Sequence, residues 1–226
     1  KIRNVGLFGH QGAGKTTLAE AMLWSAKALP KLGSVAEGTS NLDTEPEEIK
    51  RKASIALHLG AAGWKEHKVN LLDTPGYPDF VGDVYSALRV ADAALLVLRA
   101  SAGVEVGTEV VWEVLKQEKS PILVVVNMMD KEHANFAAAV KSCHHRLDLN
   151  AVAVQLPIGE AEQFHGIIDL IEMKAIRFIE DNRGSEFEVG PVPEEYKEDV
   201  QHARERVIEA ACECSDELLH KYLEGK

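Results

Sequence analysis

Apolar residues follow two different spacings along the first 157 residues of the chain. Near-continuous apolar runs, which are typical of parallel strands buried on both faces, lie at residues 4–8, 93–98 and 122–126. Apolar residues recur at helical spacing at residues 15–28, 80–90, 108–119 and 136–147. Strands that alternate with helices in this way indicate a doubly wound, mostly parallel sheet. The pattern therefore predicts an α/β fold over residues 1–157.

Segments outside this alternation predict a hairpin and a second subdomain. Residues 54–59 and 69–72 have the composition of strands, and we expect a hairpin around residues 60–65 to join them. After Pro157 the pattern changes, so we predict a helix-rich α+β subdomain at residues 158–226. Its predicted elements are a hairpin of strands 167–171 and 175–179, an acidic helix at 194–212 and a short helix ending near Gly225.

Composition narrows the classes of protein that fit. Of 226 residues, 46% are hydrophobic and 27% are charged, which indicates a globular protein. The 25 basic residues against 36 acidic ones give a net charge of −11, which argues against a broad nucleic-acid-binding face. No apolar run approaches the roughly 20 residues that span a bilayer. The three cysteines have no regular spacing, which indicates a reducing compartment.

A phosphate-binding motif follows the first predicted strand. Its residues fit G-x-x-x-x-G-K-[ST] and are Gly9, His10, Gln11, Gly12, Ala13, Gly14, Lys15 and Thr16, with Thr17 directly after. A glycine-rich turn between a strand and a helix is the setting that identifies a P-loop. Its backbone N–H groups would bind phosphates. Lys15 would reach the outer phosphates, and the Thr16 hydroxyl would bind Mg²⁺.

A D-x-x-G motif follows the strand predicted at residues 69–72 and begins 58 residues after Lys15. Its residues are Asp73, Thr74, Pro75 and Gly76. A carboxylate at this strand end can hold Mg²⁺ through water, opposite the P-loop. Gly76 leaves room for the γ-phosphate to contact the backbone. D-x-x-G alone also occurs in ordinary turns, but its place after a neighbouring strand favours a second phosphate and metal contact.

A third motif, Asn127-Met128-Met129-Asp130, ends the strand predicted at residues 122–126. The Asp130 carboxylate can accept hydrogen bonds from both N1–H and the 2-amino group of guanine, whereas adenine offers no matching pair of donors. A buried carboxylate without a partner is costly, so the motif predicts selection of guanine. The usual motif is N-K-x-D. Met128 replaces the lysine, and its thioether can cover the base but carries no charge.

Together these motifs resemble those of translational GTPases, most closely elongation factor G and its paralogues. The resemblance covers essentially the whole chain. Beyond the nucleotide motifs it continues through residues 78–80, 130–136, 155–159 and 166–170. The last two stretches resemble the G-prime insert, which elongation factor G has and most small GTPases lack.

The resemblance implies a P-loop GTP-binding domain at residues 1–157 and an incomplete G-prime-like insert at residues 158–226. It implies GTP or GDP as ligand, with Mg²⁺ as cofactor. The expected metal ligands are Thr16, Ser54 and Asp73, and the expected catalytic residues are Lys15 and Tyr77. It further implies a cytoplasmic protein that binds the ribosomal factor site and, through the G-prime region, acidic stalk-associated proteins, without a membrane partner.

Elongation factor G also has a further guanine-contacting loop and a final sheet strand after this insert. No counterpart of that loop precedes Lys226. We therefore expect the chain to be a fragment that lacks the last strand of the sheet and part of the base pocket.

Two positions depart from the elongation factor G pattern in ways that concern hydrolysis. Gly12 stands where the family usually has an aspartate that helps to hold a monovalent cation. Tyr77 stands where it has the histidine that orients the attacking water, and a phenol is a poor base near neutral pH. Losing such a group typically costs roughly 10²–10⁴-fold in rate. The alternative is that Tyr77 packs against the switch and another group orients the water.

A third departure lies in the first switch segment, which we define as residues 37–54. The family sequence R-G-I-T-I corresponds to Arg51-Lys52-Ala53-Ser54-Ile55. Ser54 keeps the hydroxyl that would bind Mg²⁺; the alternative is a strand-edge serine that faces solvent. Because Ser54 is its only expected anchor, we expect residues 37–52 to be mobile without a bound triphosphate.

Two functions fit the sequence. The first is a translation factor that hydrolyses GTP on the ribosome. The second is a GTP-binding regulatory switch with little hydrolysis, which acts by occupying the ribosomal factor site. The P-loop and the metal ligands fit both, whereas Gly12 and Tyr77 favour the second.

Overall fold

The computed structural model describes residues 1–179 and 186–224. The chain divides into two compact units, one of residues 1–128 and 137–149 and one of residues 129–136 and 150–226. These units do not coincide with the boundary predicted after Pro157, because the strand Gln155–Ile158 pairs within the second unit. No helix in the described ranges is both long and apolar enough to cross a membrane.

The first unit contains a five-stranded sheet with helices between its strands. In chain order its elements are β1 (Ile2–Phe8), α1 (Lys15–Ser25), α2 (Pro46–Arg51), β2 (His58–Trp64), β3 (His67–Asp73), α3 (Val81–Leu88), β4 (Ala93–Arg99), α4 (Val106–Glu118), β5 (Ile122–Asn127) and α5 (Phe136–Leu147). The strand order is β2-β3-β1-β4-β5. Strands β3, β1, β4 and β5 are parallel, and β2 is antiparallel to β3. This sheet confirms the predicted α/β class.

The apolar runs bury the centre of this sheet. Leu7, Phe8, Leu96 and Val97 are fully buried, as expected for parallel strands covered on both faces. Strands β1, β3 and β5 carry the three nucleotide motifs directly after them. Because these strands run in the same direction, their carboxyl ends meet at one edge of the sheet. The topology therefore places all the expected motifs on that edge.

The expected hairpin is present, since β2 pairs with β3, but its first strand begins at His58, later than the predicted residue 54. The backbone N–H groups of Ile55 and Leu57 donate to the carboxylates of Glu48 and Asp83, at 2.9 Å each. They are therefore not available to a sheet. The turn between β2 and β3 lies at residues 65–66, where both residues have positive φ, instead of around residues 60–65.

The second unit contains a four-stranded antiparallel sheet and two helices. Its elements are β6 (Gln155–Ile158), β7 (Gly166–Asp169), β8 (Lys174–Phe178), β9 (Phe187–Gly190), α6 (Lys197–Glu213) and α7 (Asp216–Leu223). The predicted hairpin is β7 and β8, whereas the sequence pattern does not predict β6 and β9. Val200 of α6 packs with Ile158, Ile168 and Leu170 in the core of this unit. The predicted helix end at Gly225 lies outside the described residues.

Candidate nucleotide-binding site

The P-loop backbone depends on glycine at two positions. Gly14 caps the N-terminus of α1 with φ +88°, and a Cβ there would lie 2.5 Å from the side-chain nitrogen of Asn127. Gly9 has φ +144°, and a Cβ there would lie 2.3 Å from the carbonyl oxygen of Val97. Side chains at either position would meet both strain and a close contact. The loop therefore has the compact shape that phosphate binding by backbone N–H groups requires.

Lys15 lies folded over this loop. Its side chain is buried, and Nζ donates to the carbonyl oxygens of Gly9 and His10 at 3.0 Å each. Burial lowers the pKa of Lys15 to about 8, although the nearby carboxylates of Asp73 and Asp43 oppose this shift. A desolvated cation held only by carbonyl oxygens is well placed to bind an anion, because phosphate would replace the solvation it has lost.

Asp73 is the side chain whose surroundings fit a bound cation most clearly. The residue is fully buried, and neither carboxylate oxygen has a hydrogen-bond partner at bonding geometry among the described residues. Burial raises the pKa of Asp73 to about 6, and the nearby Thr16 hydroxyl and Lys15 ammonium offset this only in part. A buried carboxylate without partners is costly unless it holds a cation. Hydroxyl and carboxylate oxygens are the ligands that Mg²⁺ prefers, so this site fits the expected metal.

Ser54 faces the P-loop rather than solvent. Its hydroxyl lies 2.9 Å from the Thr16 hydroxyl and donates to Oδ1 of Asp43 at 2.7 Å. The solvent-facing alternative for Ser54 is therefore wrong. Asp43 is also buried, and its Oδ2 has no hydrogen-bond partner among the described residues. Sequence reasoning missed Asp43, because a single aspartate in a polar, acidic segment resembles a solvated one.

The first switch segment has more anchors than Ser54, so the expectation of a single anchor is wrong. Glu20 of α1 and Glu48 of α2 are both fully buried. Glu20 accepts hydrogen bonds from the stretch Ser40–Leu42. Glu48 accepts from backbone N–H groups of residues 45, 55 and 56. Glu20 therefore ties this segment to α1, and Glu48 ties α2 to the residues that directly follow the segment.

Three side chains of this region, Asp43, Glu48 and His58, bring potential metal ligands within 4.8 Å of one another. Oε1 of Glu48, however, already lies 2.7 Å from Nε2 of His58 and accepts from the N–H groups of residues 55 and 56. With these bonds the lone pairs on that oxygen are occupied. We therefore describe the cluster as a hydrogen-bonding centre of the first switch segment.

The D-x-x-G motif lies directly against the P-loop. A Cβ at Gly76 would lie 2.6 Å from both the backbone nitrogen of Gln11 and Nζ of Lys15, so glycine is required by this close approach. Thr74 faces the sheet instead, since its hydroxyl donates to the carbonyl oxygen of Leu7 at 2.7 Å. Pro75, the next residue of the motif, is buried as well. Of this motif, Gly76 lines the nucleotide pocket, and Asp73 lies beside Lys15 and Thr16.

The third motif is divided between the two units. Asn127 donates from its side-chain nitrogen to the carbonyl oxygen of Ala13 at 2.9 Å, which ties β5 to the P-loop. Met128 has φ +62° and lines the nucleotide pocket. Asp130 belongs to the second unit, where it is exposed and forms an ion pair with Lys131 at 2.5 Å.

The sequence motifs do not predict which groups the side chains of His10 and Tyr77 contact. Nδ1 of His10 accepts a hydrogen bond from the N–H of Gly107 at 3.2 Å, and its Nε2 lies 3.6 Å from Glu105. Its side chain thus contacts the start of α4. Tyr77 packs edge-on against Phe80, with ring centroids 6.4 Å apart.

Some of these residues line one pocket of about 290 Å³ in the first unit, whereas Asp73, Tyr77 and Asn127 are not among the residues that line it. Its walls are formed by the P-loop with Thr17, the first switch segment, Gly76 and Met128. The wall is uncrowded at Gly12, since a Cβ there would have no atom within 4 Å. A buried cation, the buried carboxylate of Asp43 and two hydroxyls therefore line this space. The buried carboxylate of Asp73 lies beside Lys15 and Thr16, and the arrangement suits a phosphate chain with its metal.

Comparisons with known proteins agree with this geometry. Residues 1–219 match the family model described as elongation factor Tu GTP binding domain. A crystal structure of a protein from Thermus thermophilus is similar over 100% of this chain, with a TM-score of 0.91 and 40% sequence identity. The chain spans about a third of that protein, at 33% of its length. The chain therefore belongs to the elongation factor Tu GTP-binding domain family, as a translational GTPase domain of the elongation factor G type.

Proposed function

We propose that the chain is the GTP-binding domain of an elongation factor G-like translation factor, which binds GTP with Mg²⁺ and hydrolyses it on the ribosome. The observation that carries this proposal is the buried, unpartnered carboxylate of Asp73 beside Lys15 and Thr16. Thr16, Ser54 and Asp73 would hold Mg²⁺ here, and the ion would supply positive charge against the charge that develops during phosphoryl transfer. The functional division at residue 157, with a G-prime-like insert after it, forms part of the same proposal.

The residues of the pocket have separate roles in binding the triphosphate. Nζ of Lys15 leaves the carbonyl oxygens of Gly9 and His10 and binds the outer phosphates. The hydroxyls of Thr16 and Ser54 bind Mg²⁺, and Asp73 holds it through water. The N–H groups of the P-loop bind the phosphate oxygens, with the N-terminus of α1 adding its partial positive charge.

Guanine selection is assigned to Asp130 and Asn127, with Met128 covering the base. Asn127 already fixes the P-loop through Ala13, so it joins the base-binding strand to the phosphate-binding loop. Asp130 supplies two acceptor oxygens for the donor edge of guanine. The exposure of Asp130 agrees with a residue whose partner is a ligand.

A second function, a GTP-binding switch with little hydrolysis, is favoured by one contact. Tyr77 packs edge-on against Phe80, which fits the alternative that this side chain packs rather than orients the attacking water. In either function the partner is the ribosomal factor site, with acidic stalk-associated proteins at the G-prime-like insert, in the cytoplasm.

Nucleotide titration tests the shared part of both functions. Isothermal titration with GTP, GDP and ATP, with and without Mg²⁺, should show a preference for guanine nucleotides. Asp130→Asn should lower the GTP-to-ATP affinity ratio by about tenfold or more, because one acceptor becomes a donor. Asp148→Asn, an exposed aspartate of the first unit, is the matched control. An unchanged ratio in Asp130→Asn would assign base selection elsewhere.

Single-turnover hydrolysis separates the two functions. The protein is mixed with limiting GTP, with and without ribosomes, and phosphate release is followed. A large rate increase on ribosomes supports the hydrolysing factor. Slow hydrolysis in both conditions, with GTP binding intact, supports the regulatory switch.

A further inference from the structure

Glu20 is a buried acid that the proposed binding chemistry does not use. It lies on α1, four residues after Thr16, so both side chains point from the same face of the helix. Its exposure is 0%. A carboxylate in such a place is stable only when its oxygens are hydrogen-bonded.

Within the described part of the chain, all of its hydrogen bonds come from one short stretch of the first switch segment. Oε1 of Glu20 accepts from the Ser40 hydroxyl at 2.8 Å, from the Leu42 N–H at 3.0 Å and from the Asn41 N–H. Oε2 accepts from the Asn41 side chain at 2.9 Å. Burial alone would raise the pKa of Glu20, but these hydrogen bonds prevail and lower it, so the ionised form is favoured.

The same stretch fixes Asp43, which adjoins the metal ligands. The Ser40 hydroxyl that donates to Glu20 also accepts from the N–H of Asp43 at 3.1 Å. Oδ1 of Asp43 then accepts from Ser54, whose hydroxyl lies against Thr16. A continuous set of hydrogen bonds therefore starts at Glu20 on α1 and returns to Thr16 on the same helix.

Gly33 lies against both Glu20 and the stretch of the first switch segment that Glu20 binds. A Cβ at Gly33 would lie 2.7 Å from Oε2 of Glu20, 2.7 Å from the carbonyl oxygen of Thr39 and 2.9 Å from Cα of Ser40. Its φ is not in the left-handed region. Glycine at residue 33 is thus required by the close approach of Glu20 to the segment it holds.

We propose that Glu20 is a positioning residue for the metal side of the nucleotide site. By holding residues 40–42 it sets the place of Asp43, and through Asp43 that of Ser54, before the triphosphate and Mg²⁺ bind. The inference rests on the proposed function, because it concerns how the same site is preorganised. Without Glu20 the ordering of this segment must be completed at the moment of binding, which lowers affinity.

Replacement of Glu20 tests the proposal in the 226-residue chain. Glu20→Met keeps the approximate volume but removes every acceptor, and Glu20→Gln keeps one acceptor oxygen. Affinities for fluorescent GTP and GDP are measured over a range of Mg²⁺ concentrations, with Glu37→Met as the exposed control on the same segment. Circular dichroism and thermal melting check that each variant is folded.

We expect Glu20→Met to raise the Mg²⁺ concentration for half-maximal GTP binding by about tenfold, since several hydrogen bonds to a charged group are removed. GDP affinity without Mg²⁺ should change by less than about twofold, because the P-loop itself is intact. Glu20→Gln should restore part of the loss. Equal losses for GTP and GDP, or no shift in the Mg²⁺ midpoint, overturn the proposal.

If Glu20→Met does not fold, Gly33→Ala serves as a second test of the proposal. The added methyl group presses on Glu20 and on residues 39–40, so we expect the same shift of the Mg²⁺ midpoint. Gly63→Ala, where a Cβ has open space, is its control, and no shift in Gly33→Ala overturns the proposal. If the parent chain binds neither nucleotide, the proposed function fails as well, whereas normal binding by all variants removes only the role of Glu20.

Discussion

The P-loop and the first switch segment line the same pocket, but different distances along the sequence determine their shapes. Residues 9–16 take their shape from glycines within the loop and from the strand and helix on either side. Residues 37–54 take theirs from distant hydrogen-bond partners: Glu20 is 22 residues from Leu42, and Thr16 is 38 residues from Ser54. A locally determined loop can be recognised from a motif, whereas a segment held by distant partners cannot.

This difference has a consequence for binding. The P-loop glycines and α1 already present backbone N–H groups in the absence of ligand. The first switch segment is held by side-chain hydrogen bonds, each worth about 1 kcal/mol net, so it is easier to rearrange. We therefore expect changes in the P-loop to weaken binding of GTP and GDP alike, and changes in the switch to act mainly through Mg²⁺.

The largest effect should come from Lys15→Ala. Nζ of Lys15 is a buried cation in the phosphate pocket, and phosphate would lose a charge-assisted contact of about 3 kcal/mol, or roughly a hundredfold in affinity. Titration with GTP and with GDP should show this loss for both nucleotides. Lys31→Ala, an exposed lysine beyond α1, is the control. Retained GTP affinity in Lys15→Ala would contradict the P-loop assignment.

Asp73→Asn should act in opposite directions on stability and on metal binding. Because the pKa of Asp73 is raised from 3.8 to about 6, the folded protein keeps a proton that the unfolded chain releases between those values. The stability contributed by this group is therefore highest below the unfolded pKa and falls as pH rises through 6. A shift of about two units corresponds to about 2–3 kcal/mol.

In the metal-free protein, Asp73→Asn should thus be about 2 kcal/mol more stable at neutral pH and lose this part of the pH dependence. Its GTP binding should no longer respond to Mg²⁺. Urea unfolding across the pH range in the presence of a chelator measures the first effect, and titration the second. Asp79→Asn, which is exposed, is the control. A variant less stable than the parent at neutral pH would show that Asp73 has a protein partner.

The contrast between locally determined segments and segments held by distant partners also explains which features the sequence can predict. The apolar runs predict β4 and β5 within one residue of their ends, because buried parallel strands are apolar throughout. The P-loop, D-x-x-G and guanine motifs are recognisable because local turn geometry restricts the residue types. The strand β9, only four residues long and largely exposed, has no such pattern.

The residues that hold the first switch segment escape prediction for a different reason. Glu20 belongs to no recognisable motif. It lies within a helix, where an acidic side chain is normally expected to face solvent. Asp43 and Glu48 belong to a polar segment whose composition suggests mobility. Only the fold shows that these three acids are buried and hydrogen-bonded, with the donors to Glu20 lying 20–22 residues away in the sequence.

Ser54→Ala should have a smaller effect than the changes at Lys15 and Asp73. It removes one metal ligand and the bridge between Asp43 and Thr16, while the P-loop contacts remain. We expect about a tenfold loss of GTP affinity at limiting Mg²⁺, corresponding to a single hydrogen-bonded contact, and little change for GDP without Mg²⁺. Ser54→Thr, which keeps the hydroxyl, should bind nearly as the parent does. Equal affinities of Ser54→Ala and the parent would remove the hydroxyl from the metal site.

The smallest expected effect is that of Met128→Lys, at the border of the P-loop. Cε of Met128 lies close to Gly14, so the thioether already covers part of the wall where the base would lie. A lysine stem would cover the same surface and add a charge over the ring, worth roughly 0.5–1 kcal/mol, or a few-fold in affinity. Titration with GTP measures the gain, with Met173→Lys in the second unit as the control for added charge. No gain would show that coverage of the base, rather than charge, is what this position contributes.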